Sequence, residues 1–183
     1  MVTYVALLRG INVGGRKLIK MDELIRVFAR SGFKNVRTFI QSGNGIFEAA
    51  ETDTDALAKK IEKKILKSLG HEVTVVLRTI DELNTIVKRN PFKKIKPSAD
   101  VMMCVAFLAT KPKSKPKLPL LSTTENLEVF DIRDCAAFIL CRRKKTGWFG
   151  FPNNFIEKQL GVSATTRNWT TVNKILTAAL RQE

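Results

Sequence analysis

The chain reads as an α+β protein whose first eighty residues run β-α-β-β-α-β and lead into a second, smaller α/β lobe. Three observations point there. Short runs of β-favouring residues alternate with apolar stripes at helical spacing, glycines stop the helices, and the sequence contains a hairpin signal at Ser42-Gly43-Asn44-Gly45. The order matches the split βαβ, ferredoxin-like arrangement, in which the first and third strands lie side by side in the middle of the sheet.

The elements follow in turn. Thr3 to Arg9 is a strand that ends in the loop Gly10-Ile11-Asn12-Val13-Gly14-Gly15. Met21, Leu24, Ile25, Phe28 and Ala29 form one helical stripe, stopped by Gly32. Asn35 to Gln41 and Ile46 to Ala49 are strands joined by the hairpin. A helix from Asp53 to Leu69 turns Leu57, Ala58, Ile61 and Ile65 inward and its lysines outward, with Gly70 closing it. Glu72 to Arg78 is the fourth strand. Up-down alternation through this order brings the Gly10 to Lys17 loop and the Ser42 to Gly45 hairpin to one edge of the sheet.

The lobes are expected to divide as residues 1–79 and 80–183. Thr79 and Glu82 make a capping box for a helix that Asn90-Pro91 ends. Val101 to Ala109 is apolar on both faces and resembles an interior strand; Leu127 to Ile132 and Ala136 to Cys141 are further strands. One helix carries Phe155, Ile156 and Leu160. A last helix, opened by Thr165-Thr166-Arg167-Asn168-Trp169, carries Val172, Ile175, Leu176, Ala179 and Leu180. Between Lys111 and Pro119 the Lys-Pro-Lys-Ser-Lys-Pro-Lys segment has neither period nor apolar content and reads as a mobile extended loop. Read residue by residue, the chain shows no internal repeat.

Composition excludes several classes. At 183 residues, 44% hydrophobic and 27% charged, the chain suits an ordinary globular fold and excludes collagenous or wholly disordered ones. No apolar run is long enough to span a bilayer, and the N-terminus lacks a secretory pattern, so the expected location is the cytoplasm with no membrane partner. Cys104, Cys135 and Cys141 have no metal or disulfide spacing and read as buried thiols; the one histidine, His71, reads as a turn residue. No metal and no particular cofactor is implied.

The net charge of +15 favours anionic partners. Much of it lies between Lys88 and Lys117 and in Arg142, Arg143, Lys144 and Lys145, which allows nonspecific, salt-sensitive nucleic-acid contact. RNA-recognition modules share the βαββαβ order but stack bases on an exposed sheet face. Here strand one is apolar on both faces, so its sheet demands cover on both.

The chemistry-bearing residues gather at the loops. Between strand and helix, the glycine-rich turn can direct backbone N–H groups at an anion, with Arg9, Arg16 and Lys17 as countercharge; a tight strand-to-helix turn explains the glycines equally well. It lacks the spacing of a Walker A loop and of a dinucleotide fingerprint. Ser42 and Asn44 add a hydroxyl and an amide, or simply make the hairpin. Asn168 reads as a cap, Trp169 as core, and Arg167 is left as an exposed donor aimed along the helix start. The reading expects Arg9 and Arg167 to be partly exposed, so that replacing both spares the fold.

Leu7-Leu8-Arg9-Gly10-Ile11-Asn12-Val13-Gly14-Gly15, Gln41-Ser42-Gly43-Asn44 and Thr165-Thr166-Arg167-Asn168-Trp169, with Gly32-Phe33, Phe47, Glu157-Lys158 and Gly161 between, resemble the bacterial family called domain of unknown function 1697 nearly end to end. That resemblance implies two small α/β lobes, the first ferredoxin-like. It marks Arg9, Gly10, Asn12, Gly14, Gly15, Ser42, Gly43, Asn44, Arg167, Asn168 and Trp169 as signature positions. The chain departs at Arg16-Lys17, where the family has Lys-Asn, and at Phe39, where it has tyrosine, whose ring is inferred to pack.

The motifs hold donors and no general base. The leading expectation is therefore a binding protein for a phosphorylated or otherwise anionic small molecule, held at the junction of the Gly10 to Gly15 loop, the Ser42-Gly43-Asn44 hairpin and the Thr165 to Trp169 helix start. An enzyme acting on such a ligand is the alternative, recruiting Asp22, Glu23 or Glu48, or Ser42 with Lys17.

Overall fold

A computed structural model describes residues 1–15, 17–113 and 115–181. Arg16, assigned a countercharge from the sequence, lies outside the described residues, as does Ser114 of the lysine-proline segment. The chain divides into two compact units: Met1–Asn84 with Lys174–Glu183, and Thr85–Asn173.

In the first unit β1 (Val2–Leu8), α1 (Met21–Arg30), β2 (Lys34–Thr38), β3 (Asn44–Ala49), α2 (Thr54–Leu69) and β4 (Val75–Thr79) follow one another. The sheet order is β2-β3-β1-β4 with every pairing antiparallel, so the ferredoxin-like expectation holds, including the central place of strands one and three. One sheet face sends Tyr4, Ala6, Leu8, Phe47 and Leu77 into a core with Leu24, Phe28, Ile61 and Ile65 from the helices. Phe47 stacks on Phe33 at 4.4 Å and meets Phe28 edge-on at 5.2 Å, the favoured arrangements of aromatic rings. The opposite face holds Val5, Leu7, Ile46 and Val76, also buried, so no open sheet face remains for base stacking. Asp53 caps α2 by accepting from the Ala56 N–H at 2.7 Å, and Gly70 closes it in the left-handed conformation.

The capping box of the following helix, α3 (Ile80–Arg89), is formed as expected: Glu82 accepts from the Thr79 N–H at 2.7 Å, and Thr79 Oγ1 from the Glu82 N–H at 3.2 Å. Arg37 on β2 donates to the carbonyls of Ala178, Ala179 and Arg181, each at 3.1 Å. It thereby answers acceptors that the end of α5 (Trp169–Leu180) leaves open.

The second unit contains β5 (Val101–Leu108), β6 (Leu120–Ser122), β7 (Leu127–Arg133), β8 (Ala136–Arg142), α4 (Pro152–Leu160) and β9 (Ala164–Asn168), with sheet order β6-β7-β8-β5-β9. Two corrections arise here. Thr165-Thr166-Arg167-Asn168 does not open the last helix but forms β9, antiparallel to β5; threonine, β-branched, suits a strand as readily as a cap. The helix starts only at Trp169, with Asn168 Oδ1 accepting from the Thr171 N–H at 2.7 Å, so the capping role of Asn168 stands. The short edge strand β6 follows the lysine-proline segment and had no sequence signal.

The structure also contains a repetition that the sequence does not display residue by residue. Omitting β6, the second sheet order β7-β8-β5-β9 repeats β2-β3-β1-β4. The registers superpose: Val5 faces Arg78 as Val105 faces Arg167, and Tyr4 faces Thr79 as Cys104 faces Asn168. Tyr4-Val5-Ala6-Leu7-Leu8 therefore corresponds to Cys104-Val105-Ala106-Phe107-Leu108. Glu62 accepts from the N–H of Val75, the first residue of β4, at 2.8 Å; Glu157 accepts from that of Ala164, the first of β9, at 2.9 Å. Left-handed Gly70 and Gly161 end the preceding helices. Each last strand carries a buried arginine that donates to the carbonyl just before it, Arg78 to Leu77 at 2.6 Å and Arg167 to Thr166 at 2.9 Å. The two units are thus variations on one pattern, with the Thr110–Pro119 segment and β6 standing where the first unit has α1.

Glu157→Ala and Glu62→Ala are each expected to destabilise the protein by about 1–3 kcal/mol, because each leaves a strand N–H without its acceptor. Urea denaturation checks this; an unchanged midpoint for both would show the carboxylates to be incidental.

Candidate functional site

The turn after β1 is held open by its own residues. Gly10, Asn12, Gly14, Gly15 and Lys17 all have φ between 47° and 72°, the left-handed region in which glycine is unstrained and asparagine tolerated. The Asn12 amide closes the turn: Nδ2 donates to the Ile19 carbonyl at 3.0 Å and to the Gln41 carbonyl at 2.7 Å, while Oδ1 accepts from the Ile19 N–H at 2.8 Å. The bond to Gln41 joins the glycine turn to the β2–β3 hairpin, and the Leu8 N–H donates to Gly43 O at 2.8 Å. The two loops meet at one sheet edge, as the alternation argument requires.

Gly43 is needed for this meeting. Its φ is +81°, and a Cβ there would lie 2.7 Å from Ile11 Cδ1 and 2.9 Å from Leu8 Cβ. Asn44 is fully buried, donating to Phe39 O at 2.9 Å and to Ser42 Oγ at 3.1 Å. Asn12 and Asn44 thus act as braces for the loops, and Asn44 has no surface for a ligand. Ser42 and Phe39 are half-buried. Gly14 and Gly15 stand exposed, with nothing within 4 Å of where a Cβ would be, so packing does not select them. Arg9, half-buried, donates its backbone N–H to Thr74 O at 2.9 Å.

Lys17 reaches across to donate to Glu72 O at 2.5 Å. With Glu62, Lys63, Leu66, Glu72, Val73 and Thr74 it lines a groove of about 400 Å³ beside the turn. Sequence reasoning missed Glu62, Lys63, Glu72 and Thr74, because only the pairing of β4 with β1 brings the residues before β4 to the turn. The carboxylates named as possible recruits lie elsewhere or are engaged: Glu23 accepts from the Lys20 N–H at 3.4 Å.

In the second unit, Arg167 is 8% exposed, which corrects the expectation of a partly exposed donor. It donates to Thr165 Oγ1 at 2.9 Å as well as to Thr166 O, and burial pulls its pKa down to about 10, so it stays charged at neutral pH. Trp169 packs on Phe92 with ring centroids 5.2 Å apart, a core role. Asn168 is exposed but engaged as the cap. Among the described residues no group of His, Cys, Asp and Glu could hold a metal ion, and no helix is long and apolar enough to cross a membrane.

Fold and loops together define a class: α+β proteins with a ferredoxin-like sheet whose first strand ends in a braced glycine turn. The family model described as "Protein of unknown function (DUF1697)" matches residues 1–138, and the chain belongs to that family. Among solved structures, the conserved bacterial protein SP0830 from Streptococcus pneumoniae is similar in fold, with a TM-score of 0.65 at 20% identity, covering 97% of this chain and 98% of that one. No curated protein sequence matches the chain significantly.

Asn12→Ala is expected to lower the stability of the ligand-free protein by about 2–4 kcal/mol through three lost hydrogen bonds and a left-handed φ no longer tolerated. Arg167→Ala should cost a similar amount by emptying a buried site. Chemical denaturation without any ligand reads both; unchanged stability would assign these side chains to ligand contact instead.

Proposed function

We propose that the protein binds a phosphorylated or otherwise anionic small molecule at the glycine turn and its adjoining groove. The observation that carries this is a turn both exposed and braced: Gly14 and Gly15 present backbone to solvent in left-handed geometry while Asn12 fixes the ends. Such a turn offers N–H groups to an anion without an ordering cost on binding. Lys17 and Lys63 supply charge, and Arg9 stands at the turn's entrance.

The carboxylates of Glu62 and Glu72 in the same groove disfavour a bare polyanion. They suit a ligand whose body carries hydroxyl or amine donors, such as a sugar phosphate or a nucleotide. Three free cysteines fit a reducing cytoplasm. The runner-up is an enzyme acting on the same ligand, which Glu72 favours because it places a carboxylate where an acid or base is needed.

Thermal-shift titration with a panel of sugar phosphates, nucleotides and inorganic phosphate tests the reading. At least one phosphorylated compound is expected to raise Tm saturably, and Lys17→Ala with Lys63→Ala should abolish the rise while leaving the ligand-free Tm within a few degrees. No shift with any member, or a shift insensitive to both lysines, overturns it. Turnover of the stabilising compound, lost in Glu72→Gln with binding retained, would favour the enzyme.

A further inference from the structure

The segment after β8 shows an arrangement that the glycine turn does not explain. Trp148 is 78% exposed and Phe151 74% exposed, the two most exposed aromatic side chains among the described residues. An exposed tryptophan on a loose loop would mean little, but this loop is tightly built. Gly147, with φ +84°, closes a turn in which its N–H donates to Lys144 O at 2.9 Å and the Lys144 N–H donates to Trp148 O at 2.8 Å.

Arg143 fixes the turn from below. It donates to Gly147 O at 2.8 Å, to Ala99 O at 2.6 Å and to Asp100 Oδ1 at 3.1 Å, and its guanidinium lies 4.9 Å from the Phe149 ring centroid. Glu125 fixes it from the other side, accepting from Lys144 Nζ and from the Phe151 N–H, each at 3.0 Å. Both bonds hold its carboxyl below the ordinary glutamate range, the lysine contributing most. Gly150 passes so close to Glu125 that any side chain would overlap its carbonyl. Phe149 packs against the core, while Trp148 and Phe151 on either side of it face solvent.

We infer that this braced loop is a stacking platform for a single-stranded nucleic acid, with Trp148 and Phe151 receiving bases and neighbouring lysines receiving phosphates. Charge selects this occupant over a protein. The acids nearby are already matched: Asp100 with Arg143, Glu125 with Lys144, Glu128 with Arg142. That leaves Lys145 exposed on the turn, and the exposed Lys93, Lys94 and Lys96 on the segment leading to Ala99 and Asp100, which Arg143 ties to the turn. Rigid aromatics within a cationic rim are the recurring design of single-strand binders, whereas a duplex hides its base faces. This inference is independent of the anion site proposed above, since it uses none of that site's residues.

The test titrates the full chain with a labelled oligothymidylate and with a duplex of equal length at physiological salt. Expected are quenching of tryptophan fluorescence, preference for the single strand, and loss of both in Trp148→Ala/Phe151→Ala, with affinity falling about tenfold or more. Because both side chains are mostly in solvent, the variant should keep the parent Tm, and Lys93→Ala/Lys94→Ala/Lys96→Ala should flatten the salt dependence. Equal binding of single strand and duplex, unchanged affinity in the aromatic variant, or an aromatic variant whose only change is loss of self-association would each overturn the inference.

Discussion

A central strand paired along both edges and dry on both faces leaves no room for an unanswered polar group, and most of this structure follows from that constraint. β1 and β5 are such strands. Their neighbours answer the N–H groups at the strand ends locally, since an orphaned group in such a place costs more than a hydrogen bond returns. Hence the carboxylates that Glu62 and Glu157 bring to the first N–H of β4 and β9. Hence also the two arginines, Arg78 and Arg167, which donate to carbonyls of their own strands.

The same constraint divides the polar residues of the loops into two kinds. Asn12 and Asn44 direct their amides into the fold, so they act through the shape they impose on the backbone. The groups left facing water are backbone at Gly14 and Gly15, while the exposed Lys17 side chain ties the turn to the Glu72 carbonyl. A site whose side chains are spent on bracing and whose backbone is exposed is suited to recognise a compact anion by geometry. It is poorly suited to moving protons, for which only the groove carboxylates are placed.

Much of the first unit was legible because its signals are local. Glycine stops, the Asp53 cap and the 3.6-residue stripes are written within a few positions of the elements they end or fill, and the alternation of strand directions then brought the two loops together. What was hidden depended on partners remote in sequence. Arg167 looked exposed because its neighbours Asn168 and Thr165 resemble caps, and only pairing with Val105 buries it. The groove escaped notice because Glu62 belongs to a helix face and Glu72 to a loop. The repeat was masked by a helix in one unit and a lysine-proline segment in the other, leaving one five-residue strand alike.

That repeat now separates what the fold requires from what the first unit has added. The N–H of Leu8 donates to Gly43 O and that of Leu108 to Cys135 O, both at 2.8 Å; the N–H of Arg9 donates to Thr74 O and that of Ala109 to Ser163 O, at 2.9 and 2.8 Å. Equivalent backbone positions therefore hold Arg9 and Ala109, Gly10 and Thr110, Gly43 and Cys135. Cys135 adopts φ +53° where Gly43 adopts +81°, so the hairpin itself accommodates a side chain with a left-handed backbone. Gly43 is demanded by Ile11, which the glycine turn presses against it, and not by the hairpin. Likewise the strand end folds with alanine and threonine in place of arginine and glycine. The buried arginines persist in both units and belong to the architecture. Arg9, Gly10 and Gly43 occur in one, at the edge where the glycine turn meets the hairpin, so the strand-and-hairpin pattern common to both units does not by itself require them.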